Sequence, residues 1–278
     1  MEKDLSNLDI KNVLIVGDVH GNLAWWHKIL DATEITTTDI ILQVGDFGYW
    51  PHREWGQKYL AGVEKLLAER NLSCVFVDGN HDNHEWLFQL PKRADGFVEV
   101  SPHVIYAPRT HRWTWNNVRF MSLGGASSID RGNRSMGASW WPQELLSSGD
   151  YYKAVDGEEI DVLVCHDTPS KVKLDFKADD MPTVSNRMLL QAVVEATHPK
   201  LVVHGHYHSL IQQKIALTNG GFSKVVGLSR DKFPDAVFAL KLPSLKMKNV
   251  EIDLGIGTGK DVVPEESGAI EIMRDLLD

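Results

Sequence analysis

Short apolar runs punctuate the chain, and each stops at glycine, aspartate, histidine or asparagine. Residues 13–16, 40–44, 74–77, 161–165 and 201–203 are rich in Val, Ile and Leu. Runs this short suit strands buried on both faces of a sheet. Stretches with helical spacing of apolar positions lie between some of them, at 26–30, 54–70 and 184–196. Alternating strands and helices predict an α/β fold. Further strand-like runs lie at 225–228 and 236–242, with 246–253 able to pair with them.

The chemistry lies in the residues just after each run. Val16 leads into Gly17-Asp18-Val19-His20-Gly21-Asn22, and Val44 into Gly45-Asp46-Phe47-Gly48. Val77 leads into Asp78-Gly79-Asn80-His81-Asp82, Cys165 into His166-Asp167, and Val203 into His204-Gly205-His206-Tyr207-His208. In open α/β sheets, ligands sit beyond the carboxyl ends of strands. The five ends can therefore bring these side chains to one spot. Glycine before Asp18, Asp46, Asn80 and His206 lets the backbone turn sharply and leaves room beside an ion. Asp18 and His20 are spaced i, i+2, as are His206 and His208, which in extended backbone puts each pair on one side. Carboxylate, amide and imidazole donors here outnumber the three or four ligands of a single zinc ion. That inventory suits two ions sharing a bridging carboxylate.

Composition sharpens this picture. Of 12 histidines, five (20, 81, 166, 206 and 208) stand at strand ends, so they are placed rather than scattered. The formal charge of −9 argues against a surface that coats nucleic acid. Cys74 and Cys165 lie in apolar runs and read as buried free thiols. Residues 1–12 show no apolar signal core and no run is long enough to span a membrane, so a cytoplasmic protein is expected. The length suits a single domain across 1–278, with a linker and helix from about 254 to the end. Gly255-Ile256-Gly257-Thr258-Gly259-Lys260 lacks the spacing of a phosphate loop and reads as that linker.

The five blocks, in order, resemble the calcineurin-like metallophosphoesterase superfamily: Asp18-Val19-His20, Gly45-Asp46, Gly79-Asn80-His81-Asp82, His166, and Gly205-His206-Tyr207-His208. The resemblance implies a four-layer α/β/β/α sandwich, two mixed sheets flanked by helices, with the later runs at 225–228, 236–242 and 246–253 completing the second sheet. It implies two divalent ions, with manganese favoured and iron, zinc, nickel or magnesium as alternatives. Asp18, His20 and His208 would hold the first ion, and Asn80, His166 and His206 the second, with Asp46 bridging. His81 would stand beside the ions as proton donor to the leaving group, and Asp82 would orient it. The implied reaction is hydrolysis of a phosphoester, monoester or diester, in a small substrate that includes nucleotides. A metal-bridged hydroxide would attack phosphorus. Two divalent ions and a hydroxide also make the Asp18–Asp46 centre locally cationic within an acidic protein.

The pattern departs from its relatives at one point. Many carry GDxxDRG, whose arginine grips phosphate; here Asp46 is followed by Phe47-Gly48-Tyr49-Trp50. The glycine- and serine-rich segment 124–134 holds two arginines, and Arg131 is the expected substrate contact. Tyr49-Trp50 and Trp140-Trp141 offer aromatics for core packing or for stacking a base. His204 reads as packing or support for a ligand, Asp167 as support for His166 or the turn after it, and His84 as surface or pocket rim. Two other functions compete: a nuclease on single-stranded DNA or RNA, and a metal-free scaffold of the same fold. No membrane partner is expected, and the oligomeric state is left open.

Overall fold

The computed structural model describes residues 4–254. The 254–278 linker and helix expected from sequence lie outside them but for Leu254. In chain order the elements are β1 (Asn7–Leu8), β2 (Asn12–Val16), α1 (Leu23–Thr36), β3 (Ile40–Gln43), α2 (Glu54–Glu69), β4 (Cys74–Phe76) and α3 (His84–Leu87). Then come β5 (Val98–Ser101), β6 (Val104–Tyr106), β7 (Arg112–Trp115), β8 (Val118–Leu123), α4 (Ser148–Val155), β9 (Val162–Cys165) and α5 (Met181–Thr197). The last strands are β10 (Leu201–His204), β11 (Ile211–Ala216), β12 (Phe222–Gly227), β13 (Val237–Lys241) and β14 (Lys246–Asn249).

The strands build two mixed seven-stranded sheets, ordered β1-β7-β8-β9-β10-β12-β11 and β14-β13-β2-β3-β4-β6-β5. The period-two alternation of each strand explains the layering. Val13 and Ile15 of β2, Leu42 of β3 and Val75 of β4 face the second sheet, where they meet Val162 and Val164 of β9 and Val203 of β10. Their neighbours Leu14, Val16, Ile41, Cys74 and Phe76 point the other way, onto Trp26 and Ile29 of α1 and Val63 and Leu67 of α2. On the far side, Leu163, Cys165 and Val202 pack against Leu190, Val193 and Val194 of α5. The result is helix, sheet, sheet, helix, the expected four-layer sandwich.

Local chemistry sets the helix ends. Asn22 caps α1 by accepting from the Trp25 amide, and Thr37 closes it in left-handed backbone. Asp180 caps α5, whose second residue is Pro182, where a missing N–H costs nothing. Cys74 and Cys165 are buried free thiols. Two expectations need correction. The later runs do not fill one sheet: β12 joins β10, whereas β13 and β14 join β2. The stretch 98–123, passed over in the apolar pattern, supplies four strands. In β7 the tryptophans at 113 and 115 alternate with Arg112 and Thr114, so only one face is apolar, and that face enters the inter-sheet core.

Asp161 ties neighbouring strands together just before β9. Its carboxylate accepts from the Arg119 amide at 3.0 Å, Arg119 Nε at 3.1 Å and Lys200 Nζ at 2.8 Å. Burial opposes ionisation, but these donors win and hold the carboxyl down at about 2. Because the folded value is depressed, this stabilisation is complete above the ordinary carboxylate range and fades as pH falls toward 2. Asp161→Asn is expected to lower the unfolding midpoint at pH 7, with the gap to wild type narrowing on acidification. Urea unfolding across pH checks this; a gap that is constant with pH contradicts it.

Candidate metal centre

Parallel strands from both sheets end at one place. β2, β3 and β4 are adjacent in one sheet, β9 and β10 in the other, so their carboxyl-end loops converge. Ligand atoms of Asp18, His20, Asp46 and His208 all lie within 4.8 Å of one another. His166 and Asn80 adjoin them through Asp46 and each other. The His206 ring stands 5.2 Å from that of His166. The structure thus gathers all seven expected ligands. Asp18, Asp46, Asn80 and His166 are buried, while His20, His206 and His208 are partly exposed and face the opening.

Backbone geometry shows what this convergence demands. His20, Asp46, His206 and His208 all have positive φ, at 50°, 54°, 71° and 51°. Each non-glycine residue held there costs roughly 1–3 kcal/mol, and such strain concentrates at functional sites. The neighbouring glycines serve mainly close approach. A Cβ on Gly79 would overlap the Asp46 amide and carboxylate, and one on Gly205 would overlap Asp18 Oδ1.

The electrostatics centre on Asp46. Its Oδ1 accepts from the His81 amide at 2.7 Å. Its Oδ2 is buried without a hydrogen bond of good geometry, 3.3 Å from His20 Nε2 and 3.3 Å from His166 Nε2. His166 Nδ1 donates to the Val44 carbonyl at 2.8 Å, since a carbonyl only accepts. Its Nε2 then faces two oxygens, Asn80 Oδ1 at 3.1 Å and Asp46 Oδ2 at 3.3 Å. Such an array of lone pairs is stable only around a cation. Without a metal, a proton takes that place: burial opposes it, but Asp46 and Asp18 push His166 up to about 10. His20 is raised in the same way, chiefly by Asp46 against burial. On the carboxylate side, burial is outweighed by the facing imidazoles, which lower Asp18 and hold Asp46 well below the usual range. Asp18 also accepts from the His206 amide at 3.0 Å and lies 3.2 Å from His208 Nε2. The donor set therefore fits divalent ions on both sides of Asp46.

Several expectations change at this site. Asp82 does not orient His81 by a side-chain bond. Its carboxylate accepts from the backbone amides of Phe47, Gly48, Tyr49 and Gly79 at 2.8–3.3 Å, which locks the Asp46 loop to the Asn80 loop. Burial and the Asp46 charge push it up to about 6 against the pull of those amides. Arg131 forms an ion pair with Asp180 at 3.6 Å. The arginine at the centre is Arg134. Its Nη2 lies 2.9 and 2.8 Å from the two His81 ring nitrogens, and its Nη1 donates to the Asn80 carbonyl at 3.3 Å. Asp130 holds it there through Nε at 2.9 Å and Nη2 at 2.8 Å. The i, i+4 spacing of Asp130 and Arg134 across a tight turn was the readable signal.

His84 is buried rather than at the rim, 3.5 Å from Asp78. His204 is packing: burial lowers it to about 4, and its Nδ1 donates to the Gly205 carbonyl at 3.0 Å. Asp167 supports the turn, accepting from the Thr168 amide, Asn186 and the Tyr207 hydroxyl, each at 2.7 Å. Trp50 and Trp141 are buried 5.6 Å apart, and Trp50 Nε1 donates to the His81 carbonyl at 2.9 Å. Trp86 is half exposed and stacks on His52.

The family model for calcineurin-like phosphoesterases matches residues 11–210, and the chain belongs to that family. It is a hydrolase of phosphoesters. Among solved structures it is similar to TT1561 of Thermus thermophilus, at 16% identity and a TM-score of 0.54, covering 87% of this chain and 100% of that one. It is similar also to a 5′-nucleotidase, described as putative, from Staphylococcus aureus (12% identity, TM-score 0.49, 95% of this chain and 57% of that one). An archaeal phosphodiesterase aligns at 11% identity with a TM-score of 0.45, over 87% of this chain and 99% of that one. At 16% identity the likeness to TT1561 is one of fold. No curated protein matches the sequence. Among the described residues, no helix is long and apolar enough to cross a membrane.

Gly205→Ala and Gly79→Ala test the close packing of the ligands. Each is expected to weaken divalent-metal binding by roughly tenfold or more, with far-UV circular dichroism unchanged. Metal titration checks this; wild-type affinity in both variants contradicts it.

Proposed function

We propose that this chain is a two-metal phosphodiesterase or phosphatase acting on small phosphoesters, including nucleotides. The observation that carries the reading is Asp46 Oδ2, buried between His20 Nε2 and His166 Nε2 at 3.3 Å from each. Asp18, His20 and His208 would hold one divalent ion, and Asn80, His166 and His206 the other, with Asp46 shared. When bound, such ions polarise a phosphoryl oxygen and supply hydroxide at neutral pH. Manganese is the favoured metal.

The chain's own groups do the rest. Arg134 is the charge we assign to the phosphate, in place of Arg131, because it is held against His81 and Asn80 by Asp130. His81 is anchored through its amide to Asp46 and through its carbonyl to Trp50, which fixes its ring at the edge of the site. Burial, helped by the Arg134 charge and opposed by Asp46, lowers the His81 ring well below its usual value. An anionic ester beside the ring offsets the arginine and favours the protonated imidazole. His81 then donates to the departing oxygen, a contribution of roughly 10²–10⁴ in rate.

An activity panel with Mn²⁺ tests the reading: bis-nitrophenyl phosphate, nitrophenyl phosphate, and 2′,3′- and 3′,5′-cyclic nucleotides. Turnover of at least one is expected; failure on all, with two metals bound, overturns it. Cleavage confined to single-stranded nucleic acid would favour a nuclease. His81→Ala is expected to slow alkyl phosphoesters far more than nitrophenyl esters, whose leaving groups need no proton. Equal losses on both contradict the proton-donor role.

A further inference from the structure

Among the described residues, one buried carboxylate close to the centre is neither a candidate ligand nor in an ion pair. Glu144 is 1% exposed and sits at the end of a segment, 124–145, that begins against Asp78, just after β4. That segment is fastened independently of the Glu144 side chain. Arg109 grips Asp78 through Nε at 3.0 Å and Nη2 at 2.7 Å. The same guanidinium donates to the carbonyls of Gln143, Glu144 and Leu145 at 2.8–3.2 Å. The Gly125 amide donates to the Asp78 carbonyl at 2.7 Å.

The Glu144 side chain binds one residue twice. Its Oε1 accepts from the Ser128 amide at 2.8 Å and its Oε2 from the Ser128 hydroxyl at 2.6 Å. A serine hydroxyl has one hydrogen. Spent on the carboxylate, it leaves the oxygen only lone pairs for the contact with Asn80 Nδ2 at 3.1 Å. The amide nitrogen of Asn80 must therefore be the end that faces Ser128. Its oxygen then faces His166 Nε2 at 3.1 Å. Nitrogen and oxygen of an amide have nearly the same shape, so packing alone would not choose between them. When His166 Nε2 is given to an ion and carries no hydrogen, the Glu144–Ser128 pair is what the chain itself supplies to make the choice.

We propose that Glu144 is a positioning residue: through Ser128 it sets the polarity of the Asn80 amide so that Oδ1 faces the second divalent ion. The proposal rests on the two-ion reading above.

Glu144→Gln keeps the shape and reverses the relay. Its oxygen is needed by the Ser128 amide, so its NH₂ meets the Ser128 hydroxyl. The serine hydrogen then turns to Asn80 and draws the amide oxygen away from the ion. Calorimetric titration with Mn²⁺ reads the effect. Wild type is expected to bind two ions. Glu144→Gln and Ser128→Ala should each weaken one of them by roughly 10–100-fold and leave the other unchanged. In a His166→Ala background, which removes the same ion, adding Glu144→Gln should change nothing further. Melting of the metal-free proteins checks folding, and Ser128→Ala, which deletes a single oxygen, carries the test if Glu144→Gln is unstable. Unchanged affinity at both sites, or equal weakening at both, overturns the proposal while the two-ion reading stands. A wild-type protein that binds fewer than two ions overturns both.

Discussion

Buried electron-rich atoms converge on Asp46, and they need a cation. Asp46 Oδ2 lies between two imidazole nitrogens, and one of those, His166 Nε2, also faces the Asn80 carbonyl oxygen. His166 cannot relieve the crowding by changing tautomer, because Val44 already takes its Nδ1 hydrogen. Leaving so many acceptors unpaired in a dry interior costs several kcal/mol. The arrangement can be satisfied by protons at His20 and His166 or by divalent metal, and the proposed phosphoester chemistry rests on the second.

The fold exists around that constraint. Each sheet offers adjacent parallel strands whose carboxyl ends point the same way, and stacking the sheets brings the ends together. Bringing them close enough requires glycine where one ligand passes another, as at Gly79 and Gly205. It also requires left-handed backbone at His20, Asp46, His206 and His208, a strain that the sandwich core must hold in place. Asp82 contributes from beneath, tying the Asp46 loop to the Asn80 loop through four backbone amides. The Asp78–Arg109 pair also pins the 124–145 segment that delivers both Arg134 and Ser128.

The convergence of the candidate ligands was legible in the sequence because metal chemistry restricts residue types and strand ends restrict their spacing. The inner strands were legible because burial on both faces makes them continuously apolar. β7 escaped because Arg112 and Thr114, on its other face, break the apolar run along the sequence. The sequence did not distinguish Arg131 from Arg134, which flank a single tight turn at Arg131–Asn133 and are placed differently by it: Arg131 on Asp180, Arg134 on His81 and Asn80. Asp82 and His84 were misread because their partners, the Phe47–Tyr49 amides and Asp78, are set by tertiary packing. Hydrogen-bond polarity, as in the Glu144–Ser128–Asn80 relay, leaves no pattern in a single chain of letters.

The central claim is that one carboxylate, Asp46, is shared by two ions. Electron paramagnetic resonance of the Mn²⁺-loaded protein tests it most directly. The account predicts the spectrum of an exchange-coupled pair in wild type, replaced by uncoupled signals in Asp46→Ala. Isolated-ion signals in wild type, or coupling that survives Asp46→Ala, would contradict it.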